Sequence, residues 1–379
     1  MSETAEIQSA DTGTVAEIIL PSPEFDATLA FFREKLGFRL NAIFPADEPA
    51  IAQLSGYGLN IRLDRRATGA PANLQIASER PDDLLDGAAQ VTAPNGSVIA
   101  VVPADPVLEI PPVRQALTVR KLVDSNAWGV GRAGMQYRDL IPDREGGRFI
   151  ASHIRIPDGG PVPDNVHFHK IRFQMIYTYK GWVRLVYEDQ GEPFVMQAGD
   201  CVLQPPEIRH RVLECSDGLE VIEIGCPADH MTLLDHDLDL PTGEVDPERD
   251  FGGQRFVFHE VDKAVWEKAR YAGFERRDLG IRSATDGLAQ VSVLRPTNDG
   301  AVSDAAGSAE SHSGEFLFYF VLEGAVTLMI DDGTHSLSAG DCVTIPAGMD
   351  YRLINASVDL EFLEVQLPAE RSKDAKNGG

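Results

Sequence analysis

The residues with the clearest capacity for chemistry sit in "DNVHFHKIRFQ", residues 164 to 174, where His167 and His169 stand two apart. Side chains at i and i+2 of a strand project from one face, so the two imidazoles offer their nitrogens to the same side of a sheet. Gln174 lies five residues beyond His169, and that odd spacing sends it to the opposite face unless a bulge or hairpin intervenes. Taken alone, the stretch is either part of a metal site or a set of polar residues on a solvated strand. The surrounding elements have to decide.

Those elements repeat. "GMQYRDL" at Gly134 returns as "GFERRDL" at Gly273, "QAGDCVLQPP" at Gln197 as "SAGDCVTIPA" at Ser338, and "LEVIEIGCPAD" at Leu219 as "LEFLEVQLPAE" at Leu360. The offsets are 139, 141 and 141 residues, so two copies of one fold follow each other in nearly constant register. Each copy alternates short Val, Ile, Leu, Phe and Tyr runs with Gly, Pro and Asp punctuation and lacks long helical periodicity, which is the pattern of an antiparallel barrel or jelly roll.

Within the first copy, His-x-His, four residues, Gln174, six residues and Gly181 resemble the first motif of the cupin family. "GDCVLQPPEIRHRV" resembles its second motif, with Gly199, Pro205 and His210, although Glu207 replaces the usual glycine. The resemblance implies that His167, His169, Gln174 and His210 hold one metal ion, Gln174 reaching in from a neighbouring strand. Three imidazoles and an amide oxygen suit a divalent transition metal, with Fe(II) favoured and Mn, Ni, Co or Zn also compatible; Mg and Ca prefer an oxygen shell. All four ligands are neutral, which leaves the ion its full charge for Lewis-acid work. In the second copy the corresponding positions carry Glu310, His312, Leu317 and Tyr351, so this barrel is expected to be a degenerate site that keeps the fold without the metal. His153, on the preceding strand, is a weak candidate for a supporting catalytic role, and Arg172 a weak candidate for meeting an anionic substrate. His230, His236, His259 and His335 lie outside the motifs and read as solvated or structural.

The first hundred residues differ. "TVAEIILPS" reads as a strand, "EFDATLAFFREKLGF" places Phe25, Leu29, Phe32 and Leu36 on one helical stripe closed by Gly37, and strand-like runs follow at 49–54, 58–63, 73–77 and 97–102. This βαβββ pattern resembles half of a glyoxalase or extradiol-dioxygenase (vicinal oxygen chelate) module. The metal-ligand positions of that family fall on Glu17 and Ala100, and an alanine cannot bind metal, so a structural or dimerising role is expected.

The expected fold is mostly β: two tandem cupin jelly-roll barrels preceded by a glyoxalase-like βαβββ module. The divisions are a disordered 1–13, the module at 14–105, a metal-binding barrel at 106–234, an acidic Gly/Pro-punctuated linker at 235–254, a second barrel at 255–370 and a disordered tail at 371–379. Lys and Arg number 34 against 59 Asp and Glu, and a net charge of -25 repels phosphate backbones and anionic lipid surfaces. No nucleic-acid or membrane partner is expected. The opening "MSETAEIQSADTG" does not read as a signal peptide, which points to a cytoplasmic protein. Four cysteines without a C-x-x-C pair indicate neither a disulfide framework nor a thiolate site.

Three functions fit this reading. The first is a dioxygenase, an oxidoreductase acting on a small enolisable or hydroxylated aromatic metabolite. The second is a redox-neutral isomerase, lyase or ring-opening enzyme for a sugar-acid or keto-acid, and the third a non-catalytic small-molecule binder. Resemblance to cupins and to glyoxalase half-modules, which commonly pair, implies a homodimer.

Overall fold

The computed structural model describes residues 14–124, 128–297, 309–330 and 333–369. The segments expected to be disordered, 1–13 and 371–379, lie outside the described residues. The chain divides into two compact units, Met1–Val107 and Leu108–Gly379.

In the first unit the stripe read from sequence forms the helix Phe25–Ala30 and a continuing π-turn Phe31–Lys35, and it buries Phe25, Phe32 and Leu36. It covers a four-stranded sheet in the order Ile18–Pro21, Leu59–Asp64, Ile51–Gly56, Arg39–Phe44, with the first pair parallel. A βαβββ unit is therefore present, but its strands are not all the expected ones. Arg39–Phe44, an edge strand with a register shift between Leu40 and Ala42, went unread because most of its side chains are exposed and no buried face marks it. The runs at 73 and 97 build a separate three-stranded sheet, Asn73–Ser78, Val98–Pro103 and Gln90–Thr92. Glu17, which accepts from Gln53 Nε2 at 2.8 Å, precedes the first strand of the four-stranded sheet, whereas Ala100 lies in the separate three-stranded sheet.

The second unit holds both repeats, each as a large sheet and a smaller one closed over a core. The large sheet of the first barrel includes Gln136–Asp139, Ile150–Ile156, Phe173–Lys180, Cys201–Leu203 and Leu219–Cys226. Its small sheet includes His167–Lys170, Trp182–Tyr187 and His210–Cys215. Strand parity assigns the faces. Phe173, Met175 and Tyr177 point out of the barrel into a core shared with Phe316, Phe318 and Phe320 of the second, whereas Gln174 and Ile176 point inward.

The two barrels are clasped reciprocally. Thr118–Arg120 pairs with Cys342–Thr344 in the second barrel, and Val257–His259 pairs with Cys201–Leu203 in the first. Hydropathy reveals a strand but not its partner, so boundaries drawn in chain order at 106 and 255 do not follow the hydrogen-bonded sheets. The repeated "RDL" and "AGD" motifs find their reason here. Buried Arg138 donates to the Gly340 carbonyl at 2.6 Å, and buried Arg277 donates to the Gly199 carbonyl at 2.9 Å and to Tyr177 Oη at 3.2 Å. Asp200 and Asp341 accept from Val261 N and Leu122 N, each at 2.7 Å, tying down the exchanged segments. Residues 235–254 form neither helix nor strand and lie along the first barrel, held by Arg209 on Asp235, Arg249 on Glu188 and Asp189, and Gln254 on the Arg172 carbonyl. All four cysteines are buried and unpaired.

Candidate metal centre

His167 and His210 face each other in antiparallel register across the small sheet, and His169 follows on the same face. The ligand nitrogens of the three lie within 4.8 Å of one another, with ring centroids 4.1 to 5.3 Å apart. Among the described residues this is the one group of His, Cys, Asp or Glu arranged to hold an ion. The parity puzzle of Gln174 resolves because the chain leaves the small sheet at Lys170, turns through Ile171 and Arg172, and enters the large sheet at Phe173. Gln174 then looks into the same barrel from the opposite wall, where it is buried.

Each imidazole is oriented from behind. His167 Nδ1 lies 2.8 Å from the Asn165 carbonyl, His210 Nδ1 2.9 Å from the Ile208 carbonyl, and His169 Nδ1 3.0 Å from Thr232 Oγ1. A carbonyl only accepts, so Nδ1 of His167 and His210 carries the proton and Nε2 presents a lone pair; Thr232 as acceptor gives His169 the same tautomer. Burial lowers all three pKa values, with neighbouring cations and imidazoles adding to it; His169 falls to about 3. The cluster is thus neutral and bears the lone pairs that a divalent transition ion requires.

The inward acceptors meet donors from residues that sequence reading missed. Arg132 Nη2 is 2.9 Å from His167 Nε2, and its Nη1 pairs with buried Asp164. Gln204 Nε2 donates to Gln174 Oε1 at 2.9 Å and contacts His210 Nε2 at 3.1 Å, while Tyr187 Oη donates to Gln204 Oε1 at 2.7 Å. Gln174 Nε2 donates to Glu223 Oε1 at 2.5 Å, which fixes the amide with its oxygen toward Gln204. The donor set therefore fits an ion: His167, His169 and His210 would hold it, with Gln174 oriented to join. His230, read as solvated or structural, also lines the cavity, its ring 5.4 Å from His169. The cavity measures about 330 Å³, and Ile150, Ile154, Ile176, Val183, Leu185 and Val221 supply much of its wall.

Two sequence candidates lie elsewhere. His153 alternates with the inward-facing Ser152 and Ile154, so it points out of the barrel, where Nε2 pairs with Glu220 at 2.7 Å and the ring packs on Trp128, Tyr179 and Phe320. Arg172 sits in the turn between the two sheets and pairs with Glu315 of the other barrel at 2.6 Å, beside Arg148 on the same carboxylate. Neither lines the cavity.

In the second barrel, Glu310 meets Tyr351 through the backbone, and His312 Nε2 donates to the Ile345 carbonyl at 2.6 Å, spending the nitrogen that the first barrel keeps as a lone pair. Leu317 is buried in the core. Tyr351 instead joins a buried network: its hydroxyl lies 3.0 Å from Tyr271 Oη and 2.9 Å from Tyr319 Oη, Tyr271 donates to Glu364 at 2.7 Å, and Arg270 pairs with Glu364 at 2.9 Å.

Residues 301–366 match the family model for the Cupin domain. The matched stretch lies within the second barrel. With the first barrel built on the same repeat, the architecture is two tandem cupin barrels. No curated protein matches the chain. Among solved structures, a mutant of Bacillus subtilis oxalate decarboxylase is 13% identical with a TM-score of 0.49, over 69% of this chain and 79% of its own. The oxalate decarboxylase of Lactobacillus farciminis in its formate complex is 13% identical, with a TM-score of 0.48 over 70% of this chain and 89% of its own. Protein Ylba from E. coli is 10% identical, with a TM-score of 0.48 over 68% of this chain and 94% of its own. No helix among the described residues is long and apolar enough to cross a membrane.

Proposed function

We propose that the first cupin barrel is a metal-dependent enzyme site that acts as a dioxygenase on a small enolisable or hydroxylated aromatic metabolite. The observation that carries this reading is the convergence of three neutral, back-oriented imidazoles on one cavity walled by aliphatic side chains. A bound divalent ion, Fe(II) for this chemistry, supplies Lewis-acid polarisation of a ligand oxygen. The chain does the rest. Asn165, Ile208 and Thr232 hold the imidazole tautomers, Glu223 fixes the Gln174 amide, and the Ile, Val and Leu wall excludes water and receives an apolar body.

One observation favours a second reading. Glu223 is a carboxylate at the cavity surface next to Gln174, placed to accept a proton from an enolisable substrate, which suits a redox-neutral isomerase or lyase for a keto-acid. The aliphatic wall counts against a polyhydroxylated sugar-acid, whose hydroxyls would lose water there without partners. Oxygen uptake that needs Fe(II), measured over a panel of enolisable and catecholic compounds, supports the dioxygenase. Anaerobic turnover with Mn, Ni or Zn replaces it with the second reading. Saturable ligand binding without turnover under either condition would leave a binding protein.

A further inference from the structure

Arg132 occupies an unusual position for a cation. It follows Gly131 on the short turn Arg132–Gly134, its Nη1 rests on buried Asp164, and its Nη2 points at the Nε2 lone pair of His167. Asp164 is itself fixed, its second oxygen accepting from Val212 N at 3.0 Å. The lone pair that Arg132 meets is the one an ion at the histidine cluster would take. Once taken, it no longer accepts from Arg132, and a guanidinium then stands beside a dication with one imidazole nitrogen between them. Of the charged groups around the cavity, Asp164 is paired with Arg132, Glu223 is a carboxylate bonded by the neutral Gln174 amide, and Arg211 adds a further cation at the rim, so a dication and two guanidinium groups outweigh two carboxylates. The metal-loaded cavity therefore carries uncompensated positive charge on its polar side and aliphatic surface on the other.

We propose that Arg132 is the docking group for the substrate, and that the substrate is a small carboxylic acid whose carboxylate would span Arg132 and an ion held by the histidine nitrogens while its apolar body lies on the aliphatic wall. This rests on the metal-site reading above and narrows it to acids with an aliphatic or aromatic body. A carboxylate satisfies both partners, since a planar guanidinium donates in the geometry that a carboxylate accepts, and the anion separates the two cations.

The test uses full-length protein loaded with Co(II), whose visible absorbance reports ligands entering its shell, titrated with benzoate and with neutral, isosteric benzamide. Benzoate is expected to perturb the spectrum at a concentration at least about tenfold lower than benzamide, the factor expected when a charged partner is present. Arg132→Met abolishes that preference, and Arg132→Lys, which keeps the charge over Asp164 and guards against misfolding, retains part of it. Equal responses in the unaltered protein, or a preference that survives in a folded R132M, overturn the proposal. A chain that takes up no Co(II) overturns the metal reading separately. Calorimetry of the same protein then decides on the anion site: benzoate binding over benzamide that R132M removes keeps Arg132 as a carboxylate site, and equal heats end it.

Discussion

The two barrels share a repeat, a sheet order and a clasp, yet the interior of one presents histidines to a cavity and that of the other buries a tyrosine network. Where the first presents His210, the second presents Tyr351, whose hydroxyl closes a network with Tyr271, Tyr319, Glu364 and Arg270. Where the first keeps histidine lone pairs facing inward, the second spends His312 Nε2 on a backbone carbonyl. The positions that hold the fold, Arg138 with Arg277, Asp200 with Asp341 and the paired glycines, are identical in both. Architecture therefore resides in the sheets and the clasp, and chemistry in a few inward side chains that are exchanged without disturbing it.

The sharpest way to break that comparison is to strip the first interior. His167→Ala is expected to weaken divalent-ion binding by at least about 100-fold, more than the loss of a supporting partner costs. Tyr351→Phe should leave ion content unchanged. Elemental analysis of protein purified without a His tag reads both, and an unchanged metal content in H167A would remove the distinction between the barrels.

Attacking the second interior should instead cost stability. Glu364→Leu leaves the Arg270 guanidinium without its carboxylate in a mostly buried setting, for an expected loss of about 3–5 kcal/mol, typical of breaking one side of a buried pair. Denaturant unfolding gives the loss, and ion uptake by the first barrel should persist wherever the variant is folded. A variant as stable as the parent would show that the network merely fills space.

The clasp offers a smaller, graded effect. Arg277 donates to Gly199 and to Tyr177, whereas the bond from Arg138 goes to Gly340 alone, so Arg277→Met should cost about 2 kcal/mol and Arg138→Met about 1. Equal losses would mean that the Tyr177 contact contributes nothing.

Much of this was legible in the sequence because it rests on local pattern. Gly199 and Gly340, at φ values of 95° and 87°, mark the turns that made the repeat visible, and His167 with His169 declared a shared face through their spacing. What was lost depends on which strand pairs with which. Arg132, Gln204 and Glu223 come from three separated stretches and meet only after the barrel closes. His153 was misplaced because parity within its strand was unknown until Ser152 and Ile154 were seen to face inward. Arg172 was misplaced because its partner, Glu315, belongs to the other repeat. The tyrosine network was invisible since Tyr271, Tyr319 and Tyr351 are 48 and 32 residues apart and read as ordinary strand aromatics.

The smallest effect expected is a difference in alkaline tolerance, and its sign follows from burial. Burial raises the Tyr351 phenol above its ordinary value of 10, against the pull of Arg270 and of the Tyr271 and Tyr319 hydroxyls, and drives Tyr271 and Tyr319 well above it, with Glu364 opposing ionisation of all three. Above pH 10 the unfolded chain releases these protons while the folded chain retains them, so stability that is complete below pH 10 is lost as pH rises. Tyr187 of the first barrel, fully buried and also raised, contributes to the same limb, so the total slope belongs to both barrels. The comparison is sharpened by Tyr351→Phe, which removes one titrating group at the edge of the network and should spare about 1 kcal/mol over the first unit above pH 10. Thermal melts of the parent and Y351F from pH 8 to 11 check it. Parallel curves would mean that Tyr351 ionises in the folded barrel as readily as in water, and that the tyrosine network is open to solvent rather than buried.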